Sequence, residues 1–573
     1  MKRKMLLPFF VIVSVLFLLT LPIVAEERDG YSYMVANGEV TIYNASPSLC
    51  DELVIPERID GYPVTKIGRY AFSNCKKLTS VILPSTLVSI ESYAFQGCAS
   101  LVSVTIPDSV KHIGDGVFKE CTSLKSPVFP NGMTEIPPET FWGCSSLKTV
   151  IIPENIRSVG RAAFFGCSSV TKIYIPESVT EIGYVAFDGC VSVEKITVPF
   201  VGSSFSESSD SVFGEIFAGS NKYSVPKSLK EVVILGGYEI PAYAFEDCDS
   251  IEKISIPDSV SKIGEKAFYK CFSLKEIVVD ENNSTYQSNG NCLIERETGR
   301  LILGCQTSVI PDDGTVKTIC AYAFSNCVNV EKIIVPNSIQ KIELYAFFGC
   351  SSLKEISVPF IGEKANNTTN THFGYIFGAP NKESHNNIFI PESLKTVIVT
   401  GDCSIAQYAF LHCRDISFFT ATSSIKNVAE FAFVECSGLQ VVRFEGELES
   451  LGQSVFLECS SLTEILLPSS VKKIGRGVFE NCPEVKILCE EDSVAEEYAI
   501  KNNIEYEIIE ITDAPEITPN PTPKPEPEPE LESDPDPKPE NEDYTLIIIG
   551  IAIVVFAIVA VGIVVFIKKR SRT

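Results

Sequence analysis

The chain has 573 residues, of which 45% are hydrophobic and 21% charged, so it is long enough for several domains or one long repeat array. Its 73 acidic residues outnumber its 48 basic ones, which gives a formal net charge of −25. Such a charge repels nucleic acid and anionic membrane surfaces, so we expect no nucleic-acid partner.

The amino terminus has the pattern of a secretory signal. Basic residues at positions 2–4 precede an apolar run over residues 5–24, and Ala25 is a small residue suited to cleavage. We therefore assign residues 1–25 to a signal peptide and expect the chain that follows to be exported.

A Phe three residues before a Cys recurs fourteen times between residues 72 and 482. Within uninterrupted blocks the spacing is 23 residues, and a constant period of roughly 20 to 29 residues is typical of a leucine-rich-type solenoid. The pairs of the first block are Phe72/Cys75, Phe95/Cys98, Phe118/Cys121, Phe141/Cys144, Phe164/Cys167 and Phe187/Cys190. The later pairs are Phe245/Cys248, Phe268/Cys271, Phe324/Cys327, Phe347/Cys350, Phe410/Cys413, Phe433/Cys436, Phe456/Cys459 and Phe479/Cys482.

Each repeat contains one short strand followed by turns. A segment of the form L-x-x-I-x-I-P follows each Cys, as at residues 101–107, and its alternation predicts a strand with one buried face. Proline closes most of these strands because it has no N–H for the ladder. An Ile-Gly pair such as Ile113-Gly114 follows, where we expect glycine to allow backbone angles that other residues avoid.

Stacked turns place equivalent residues in ladders about 4.8 Å apart. We expect the Phe ladder to fill the wide back of the solenoid and the Cys ladder to fill a narrow corner. Disulfides remain an alternative in an exported chain, although stacked parallel side chains give poor S–S geometry. A metal site is less favoured, because no C-x-x-C occurs and the four histidines are scattered.

Irregular inserts interrupt the period at about residues 199–235, 280–315 and 359–400. The first and third share the pattern PF[VI]G…FG[EY]IF…P[KE]SLK, so we expect them to pack alike and to add a strand to the sheet. The middle insert contains NCLIERETGRLILGC, which predicts a hairpin. Loops near Asp210 and Asn367 are candidate contact loops.

The carboxyl-terminal part has three segments that point to membrane anchoring. Residues 512–543 hold ten prolines and eleven acidic residues, which predicts an extended stalk. Residues 546–567 carry no charge over 22 positions, so we predict a transmembrane helix. Residues 568–573 are mostly basic, so we place this tail in the cytoplasm and the repeats outside the cell.

The repeat pattern L-x-x-I-x-I-P-x-S-V-x-x-I-G-x-x-A-F-x-x-C over residues 53–482 resembles the BspA-like class of bacterial leucine-rich repeats. Residues 26–52, with Asn37-Gly38 suited to a tight hairpin, resemble the amino-terminal cap of that family, and residues 483–511 resemble its carboxyl-terminal cap. The resemblance implies an α/β type leucine-rich repeat solenoid with a curved parallel sheet on its concave side and short helical or irregular turns on its convex side. It also implies a surface protein that binds host or microbial partners.

The strand residues that alternate with the buried ones face the hollow of the predicted curve. Two positions after each leading apolar residue lie Ser80, Ser103, Ser126, Thr149, Lys172, Lys195, Lys253, Glu276, Lys332 and Glu355. Four positions after it lie Ile82, Thr105, Val128, Ile151, Tyr174, Thr197, Ser255, Val278, Ile334 and Ser357. The lysines predict a positive patch and Tyr174 an aromatic anchor, although a merely solvated sheet face has the same pattern. The candidate ligand-binding residues are Ile151, Lys172, Tyr174, Lys195, Thr197 and Lys253.

The sequence contains no nucleophile with a base, no paired carboxylates, no metal set and no glycine-rich phosphate loop. We therefore predict no enzymatic activity and no cofactor. The leading hypothesis is a membrane-anchored surface protein that binds an extracellular protein or glycan ligand through the concave sheet and the insert loops. An envelope-organising protein without an external ligand and a glycan-capturing receptor remain alternatives.

Overall fold

The computed structural model describes residues 23–28, 30–48, 50–204, 212–381 and 386–509. All of them lie in the first of two compact units, which spans Met1–Asp513. Most of the predicted signal peptide, the stalk at 512–543, the apolar segment at 546–567 and the basic tail at 568–573 lie outside the described residues. Within the described ranges, no helix has both the length and the apolar character needed to cross a membrane.

Each regular repeat contributes strands to two parallel sheets. A longer strand follows the Cys, as in Lys172–Tyr174, and these strands form what we call the main sheet. A two-residue strand at the Ile of the Ile-Gly pair, as in Glu181–Ile182, belongs to what we call the back sheet. The parallel solenoid predicted from the repeats is therefore confirmed, and the back sheet is an addition that one isolated Ile could not indicate.

The strands of the amino-terminal part are β1 (Ile23–Arg28), β2 (Tyr31–Ala36), β3 (Glu39–Ala45), β4 (Cys50–Val54), β5 (Arg58–Ile59), β6 (Tyr62–Ile67), β7 (Lys77–Ile82), β8 (Ser89–Ile90), β9 (Ser103–Thr105) and β10 (His112–Ile113). The first block continues with β11 (Glu135–Ile136), β12 (Thr149–Ile151), β13 (Ser158–Val159), β14 (Lys172–Tyr174), β15 (Glu181–Ile182), β16 (Lys195–Val198), β17 (Glu231–Ile234), β18 (Glu239–Ile240), β19 (Lys253–Ile256), β20 (Lys262–Ile263) and β21 (Glu276–Val279).

The middle insert and the repeats after it contain β22 (Tyr286–Asn289), β23 (Cys292–Glu295), β24 (Arg300–Leu303), β25 (Thr318–Ile319), β26 (Lys332–Ile334), β27 (Lys341–Ile342), β28 (Glu355–Val358), β29 (Thr396–Val399), β30 (Cys403–Ile405) and β31 (Phe418–Ala421). The last strands are β32 (Ile425–Val428), β33 (Val441–Phe444), β34 (Leu448–Leu451), β35 (Glu464–Leu466), β36 (Lys473–Ile474), β37 (Lys486–Cys489) and β38 (Glu505–Ile508). The helices described are α1 (Asn221–Ser224), α2 (Val494–Asn502) and the 3-10 helices Phe213–Ile216, Phe373–Phe377 and Asn386–Ile388.

The main sheet has three parts, whose strand orders are β4-β7-β9, β12-β14-β16-β17-β19-β21 and β26-β28-β29-β31-β33-β35-β37-β38. The first break falls in the repeat of residues 124–130, where Pro127 replaces a buried strand residue. Because proline has no N–H for the ladder, the described residues between Thr105 and Thr149 form no main-sheet strand. The sequence-based placement of Ser126 and Val128 on a strand is therefore wrong.

The Phe side chains form a continuous ladder through the first block. The rings of consecutive turns stack with centroids 5.1 to 5.8 Å apart from Phe72 to Phe187, and all six rings are fully buried. Each of these Phe residues also donates its backbone N–H to the next turn, as from Phe95 to the Val117 carbonyl at 2.9 Å. Ring stacking and these hydrogen bonds together hold neighbouring turns in register.

The Cys side chains form a second ladder with a polar role. The Cys98 thiol donates to the carbonyl of Phe72 at 3.1 Å, and the Cys121 thiol donates to the carbonyl of Phe95 at 3.2 Å. The same contact follows at 3.1, 3.2 and 3.4 Å for Cys144, Cys167 and Cys190. No disulfide joins any of the cysteines that the structure describes. A thiol thus fills the corner and also satisfies a buried carbonyl, which alanine would leave with one partner fewer.

The glycine of each Ile-Gly pair allows the backbones of two neighbouring turns to lie close together. A Cβ on Gly114 would lie 2.4 Å from the backbone N of Ser92 in the preceding turn, and the φ of Gly114 is not positive. The expectation of an unusual backbone angle at this glycine is therefore wrong. Left-handed residues occur later in the turn, two positions before the Phe and one before the Cys, as at Tyr93 and Gly97.

The first and third inserts fold alike, as their shared sequence predicts. They add β17 and β29 to the main sheet, paired with β16 and β28 respectively. Each also contains a 3-10 helix whose backbone donates a hydrogen bond to a buried Asn side chain. The Asn221 Oδ1 accepts the N–H of Gly214 at 2.6 Å, and the Asn386 Oδ1 accepts the N–H of Gly374 at 3.1 Å. The two asparagines do not align in sequence, since the shared FG[EY]IF…NK pattern pairs Asn221 with Asn381.

The middle insert forms the predicted hairpin and divides the core. Strands β23 and β24 pair antiparallel, and β24 continues into the back sheet through a parallel pairing with β25. One hydrophobic cluster extends from Tyr31 to Cys305, and a second extends from Cys292 to Ala499. The two clusters are separate although both reach into this insert.

Both ends of the described core are covered by an aromatic ring. At the amino-terminal end, the ring of Tyr31 meets that of Phe72 edge-on at 6.4 Å. At the other end, α2 begins after Ser493, whose hydroxyl accepts the N–H of Glu496, and it places Tyr498 against Phe479 at 6.1 Å. A solenoid needs such covers because its terminal turns would otherwise expose apolar surface.

Candidate functional site

The candidate binding surface is the solvent-facing side of the main sheet. Between β12 and β21, strand pairing aligns equivalent side chains into two adjacent rows. What we call the apolar row consists of Ile151, Tyr174, Thr197, Val233, Ser255 and Val278. What we call the charged row consists of Thr149, Lys172, Lys195, Glu231, Lys253 and Glu276. The structure therefore brings all six candidate ligand-binding residues onto one continuous surface.

The apolar row exposes large side chains to solvent. Ile151 is 64% exposed, Val278 is 38% exposed and Tyr174 is 36% exposed. The other parts of the main sheet continue the pattern, with Ile82 at 41% and Ile334 at 58%. Isolated exposed apolar residues are normal on proteins, but a line of them along one rigid face is typical of an interaction surface.

Thr197 lies on this face but does not protrude from it, since it is only 7% exposed. The strand pairing places it between Tyr174 and Val233, whose larger side chains flank it on both sides. Its predicted role as an open contact residue is therefore corrected: its neighbours cover most of its side chain. Ser357, between Ile334 and Ile398, is covered in the same way.

The charged row is largely neutralised by ion pairs between neighbouring strands. Lys195 Nζ lies 2.8 Å from the carboxylate of Glu231, and Lys253 Nζ lies 2.6 Å from that of Glu276. Among the described residues, Lys172 has no carboxylate within ion-pair distance. The predicted positive patch of three lysines is thus reduced to one available cation.

Glu231 is the residue that sequence reasoning missed on this surface. It lies on β17, which the first insert supplies, so the 23-residue count passes over it. The shared P[KE]SLK sequence indicated that a strand forms here, and counting two positions from Leu229 would have found Glu231. Placing Glu231 beside Lys195 needed the register as well, because the insert has no constant length.

Tyr174 and Lys172 are both exposed and lie on the same strand, β14. The Tyr174 hydroxyl donates to Glu154 Oε1 at 3.4 Å, a long contact that leaves the ring edge accessible. Partial burial, and then the negative charge of Glu154, raises the pKa of the Tyr174 phenol, so the hydroxyl remains a donor at neutral pH. A partner can therefore meet an aromatic ring, a hydroxyl and an ammonium group within one strand.

The two predicted contact loops have different outcomes. The loop near Asp210 lies outside the described residues. In the loop near Asn367, the side-chain amide of Asn370 donates to Glu363 Oε2 at 2.8 Å, and that of Asn367 donates to the same oxygen at 3.4 Å. The base of this loop lies at the back sheet, because the N–H of Ile342 in β27 donates to the Glu363 carbonyl at 2.8 Å, so the loop is anchored beside β27 and not beside the main sheet.

The buried thiols have the chemistry of packing groups. Burial raises the pKa of the Cys75 thiol to about 11 and that of the Cys121 thiol to about 12, so both remain protonated at neutral pH. A protonated thiol is a poor nucleophile and a poor metal ligand. In the described part of the chain, no three His, Cys, Asp or Glu side chains are grouped to hold a metal ion.

Comparison with known proteins gives a family match and several similar solved structures. The family model described as BspA type leucine rich repeat region (6 copies) matches residues 51–168, 134–233, 238–293, 304–377 and 381–507. No curated protein matches the chain.

Three of the similar solved structures come from bacteria. A leucine-rich repeat protein from Bacteroides ovatus is 24% identical, with 85% of this chain and 100% of that chain covered and a TM-score of 0.29. A leucine rich cell surface protein from Faecalibacterium prausnitzii is 24% identical, with 83% and 97% covered and a TM-score of 0.26. The pneumococcal vaccine antigen PcpA is 15% identical, with 85% and 99% covered and a TM-score of 0.25.

The family match spans most of the repeats, and the structure accounts for the residues that define them. The Phe and Cys ladders, the main-sheet strands and the close-approach glycines all recur with the 23-residue period. On the family match together with this repeat, the chain belongs to the BspA type leucine-rich repeat family.

Proposed function

We propose that the chain is a cell-surface binding protein that holds an extracellular protein partner against the apolar row of its main sheet. The observation that carries this proposal is the line of exposed Ile151, Tyr174 and Val278 on a sheet whose strands pair in one continuous register from β12 to β21. Family membership supports the surface location, since the resemblance implies surface proteins that bind partners. The proposal assigns binding to this surface and no catalysis.

Binding on this surface rests on shape and apolar contact more than on charge. Tyr174 and Ile151 are exposed next to each other whereas Thr197 is covered, so a partner can pack on the Tyr174 ring and on the Ile151 side chain together. Tyrosine is among the residues enriched in binding hot spots. Because most lysines of the charged row are paired, Lys172 is the group that would select a carboxylate on the partner.

Membrane anchoring is the second part of the proposal. The sequence predicts a signal peptide at 1–25, a stalk at 512–543 and a transmembrane helix at 546–567. Several copies on one cell would multiply individually weak contacts, so a modest affinity per copy would suffice for adhesion.

A protein partner is favoured over a glycan by the placement of the aromatic residues. Tyr70 stacks on Tyr93 at 5.2 Å and Tyr322 stacks on Tyr345 at 5.0 Å, so these rings largely cover one another. They lie in the Phe–Cys turns, away from the apolar row, where Tyr174 is the aromatic residue. A glycan platform would need open ring faces on the binding surface.

The experiment is a binding screen with residues 26–513, the exported part of the compact unit that ends at Asp513. Extracellular-matrix proteins, mucins, glycans and whole microbial cells are immobilised, and saturable retention is measured. The variant Ile151→Ser/Tyr174→Ala removes two protruding groups of the apolar row. The matched control Tyr184→Ala/Val191→Ser removes two groups of similar exposure, 58% and 63%, that lie outside the sheet.

The outcomes separate the proposed function from its alternatives. Saturable binding to a protein that the apolar-row variant loses and the control retains supports the proposal. Binding to glycans alone would favour the receptor alternative. Absence of binding to every class, with self-association at micromolar concentration, would favour an envelope-organising protein and refute the proposal.

A further inference from the structure

The first and third inserts interrupt the 23-residue period, but each supplies a Phe that continues the Phe ladder. Phe187 donates its N–H to the Ile216 carbonyl at 2.9 Å, and Phe213 then stacks near Phe245 with centroids 5.0 Å apart. In the third insert, Phe347 donates to Ile376 at 2.9 Å, and the ring of Phe373 lies 5.0 Å from that of Phe410. Each 3-10 helix therefore substitutes for a missing Phe–Cys turn.

The middle insert supplies no Phe to the ladder. Leu301 of β24 pairs with Ile319 of β25, so both residues begin equivalent turns. Cys327 follows Ile319 by eight positions, whereas Cys305 follows Leu301 by only four, and no Phe lies between them. One turn of the solenoid is therefore shortened, and its ring is missing between Phe268 and Phe324.

A cavity of about 440 Å³ lies at this missing turn. Its walls include Phe268, Cys271, Leu274, Leu303 and Cys305. Cys271 is half-buried, in contrast to the other thirteen ladder thiols, which are buried. We refer to this space, defined by these wall residues, as the vacant turn.

The vacant turn also leaves backbone donors without acceptors. In every other turn that has a successor, the ladder Phe donates its N–H to a carbonyl of that successor, as from Phe245 to Ala267 at 2.7 Å. Among the described residues, the N–H of Phe268 and that of Lys270 have no such acceptor. Buried backbone donors are nearly always paired with protein or ordered water, so an occupant of the cavity that carries an acceptor, water or ligand, would pair with the Phe268 N–H.

The regular turns define what that occupant must carry. In them, the carbonyl that accepts from a Phe belongs to the residue directly before the next Phe, as Val117 precedes Phe118. The next acceptor belongs to the residue directly after that Phe, as Tyr269 accepts from Asp247 at 3.0 Å. A phenylalanine with an acyl carbonyl on its nitrogen therefore matches the ring position and the first donor.

The rim of the vacant turn disfavours an ionic ligand. Lys266 Nζ lies 3.6 Å from Glu265 and 4.6 Å from the centre of the Tyr322 ring, and Lys270 Nζ lies 3.3 Å from Asp247. These cations are already engaged, and Arg300, which also lines the cavity, donates from its Nε to Cys320 Sγ at 3.3 Å. Glu295 and Glu343 line the cavity as well and disfavour an anion, while the walls beside Phe268 are apolar. Such a site suits a neutral aromatic group with carbonyl oxygens beside it.

We propose that the vacant turn is a binding site for an N-acylated phenylalanine unit, whose ring stacks on Phe268 and whose acyl oxygen accepts the Phe268 N–H. The unit can come from a small acyl-phenylalanine compound or from a peptide segment. The site lies among the Phe–Cys turns and is independent of the apolar row.

The test is amide hydrogen exchange of the full chain with and without two probes. One probe is N-acetylphenylalanine amide, and the other is the acetylated, amidated pentapeptide Tyr-Ala-Phe-Ser-Asn, which is the sequence of residues 322–326. A control peptide replaces its Phe with Ala. Exchange is followed in residues 266–271, with the equivalent residues 243–248 as an internal reference because their donors are already paired.

The variant Leu303→Phe fills the vacant turn, and Leu344→Phe is the matched control, since Leu344 is also half-buried but does not line the cavity. We expect a saturating probe to slow exchange at Phe268 at least fivefold in the wild type and in Leu344→Phe. We expect no slowing in Leu303→Phe and none with the Ala-containing control peptide.

Protection by both probes assigns the site to small acyl-phenylalanine compounds, and protection by the pentapeptide alone assigns it to a peptide segment. Two results would overturn the proposal. One is unchanged exchange at Phe268 with both probes at millimolar concentration. The other is equal protection by the control peptide, which remains decisive even if Leu303→Phe does not fold.

Discussion

Replacing one ladder Phe with Ala should cost far more inside the ladder than beside the vacant turn. Phe141 contacts three rings, those of Phe118 at 5.7 Å, Phe164 at 5.2 Å and Phe129 at 5.8 Å. For Phe268, the ring contact described is with Phe245 at 5.6 Å. A buried Phe→Ala change costs about 3 to 5 kcal/mol, and each aromatic pair contributes about 0.5 to 1.5 kcal/mol. We therefore expect about 5 kcal/mol for Phe141→Ala and about 3 kcal/mol for Phe268→Ala.

The assay must report locally, because a long repeat array need not unfold in one step. The single Trp of the chain, Trp142, stacks on Phe165 at 4.2 Å and so reports the turn that contains Phe141 through its fluorescence in urea. Native-state hydrogen exchange of β14 and β19 gives the local free energy of opening for both variants. Equal losses within about 0.5 kcal/mol would refute the reasoning, because then ring contacts would not determine local stability.

Three further changes test other parts of the fold. Gly183→Ala places a Cβ 2.4 Å from the backbone N of Arg161, so we expect a loss of about 1 to 3 kcal/mol in urea unfolding. Asn221→Ala removes hydrogen bonds of 2.6 and 3.0 Å from a buried site, so hydrogen exchange of the first insert should show a loss of about 2 kcal/mol. Burial raises the pKa of Cys121 from an ordinary 9.0 to about 12, so its neutral form stabilises the fold fully below pH 9. This stabilisation is lost between pH 9 and about 12, so the urea midpoint should fall over that range. An unchanged urea midpoint at pH 10.5 would contradict the raised pKa of the Cys121 thiol.

The periodic part of the fold can be predicted from the sequence because every repeat packs the same residue types in the same way. The spacing of Phe and Cys predicts the ladders, and the shared residues of the first and third inserts predict β17 and β29. A hairpin at residues 292–303 follows from two apolar runs around a turn. In all three cases the local pattern and the tertiary packing favour the same answer.

The remaining features depend on contacts between turns, which no single repeat contains. The close approach at Gly114 is set by Ser92 in the preceding turn. Thr197 is covered because Tyr174 and Val233 flank it, and Val233 comes from an insert. The neutralised charged row likewise needs the register of β17, so counting along the sequence overestimated the positive patch.

The vacant turn becomes apparent only when the three inserts are compared in the structure. The sequence shows that no Phe–Cys pair lies between Cys271 and Phe324, but the other two long gaps lack such a pair as well. The difference is that Phe213 and Phe373 enter the ladder from their inserts, whereas the middle insert supplies no ring.

The affinity of the protein partner recovered from the screen tests the central claim most directly. Calorimetry compares the wild type with Ile151→Ser/Tyr174→Ala and with the off-sheet control Tyr184→Ala/Val191→Ser. We predict that the apolar-row variant raises Kd at least about 100-fold, or about 2.8 kcal/mol, with the control within about threefold of the wild type. A change of less than about threefold in the apolar-row variant would contradict binding through this face.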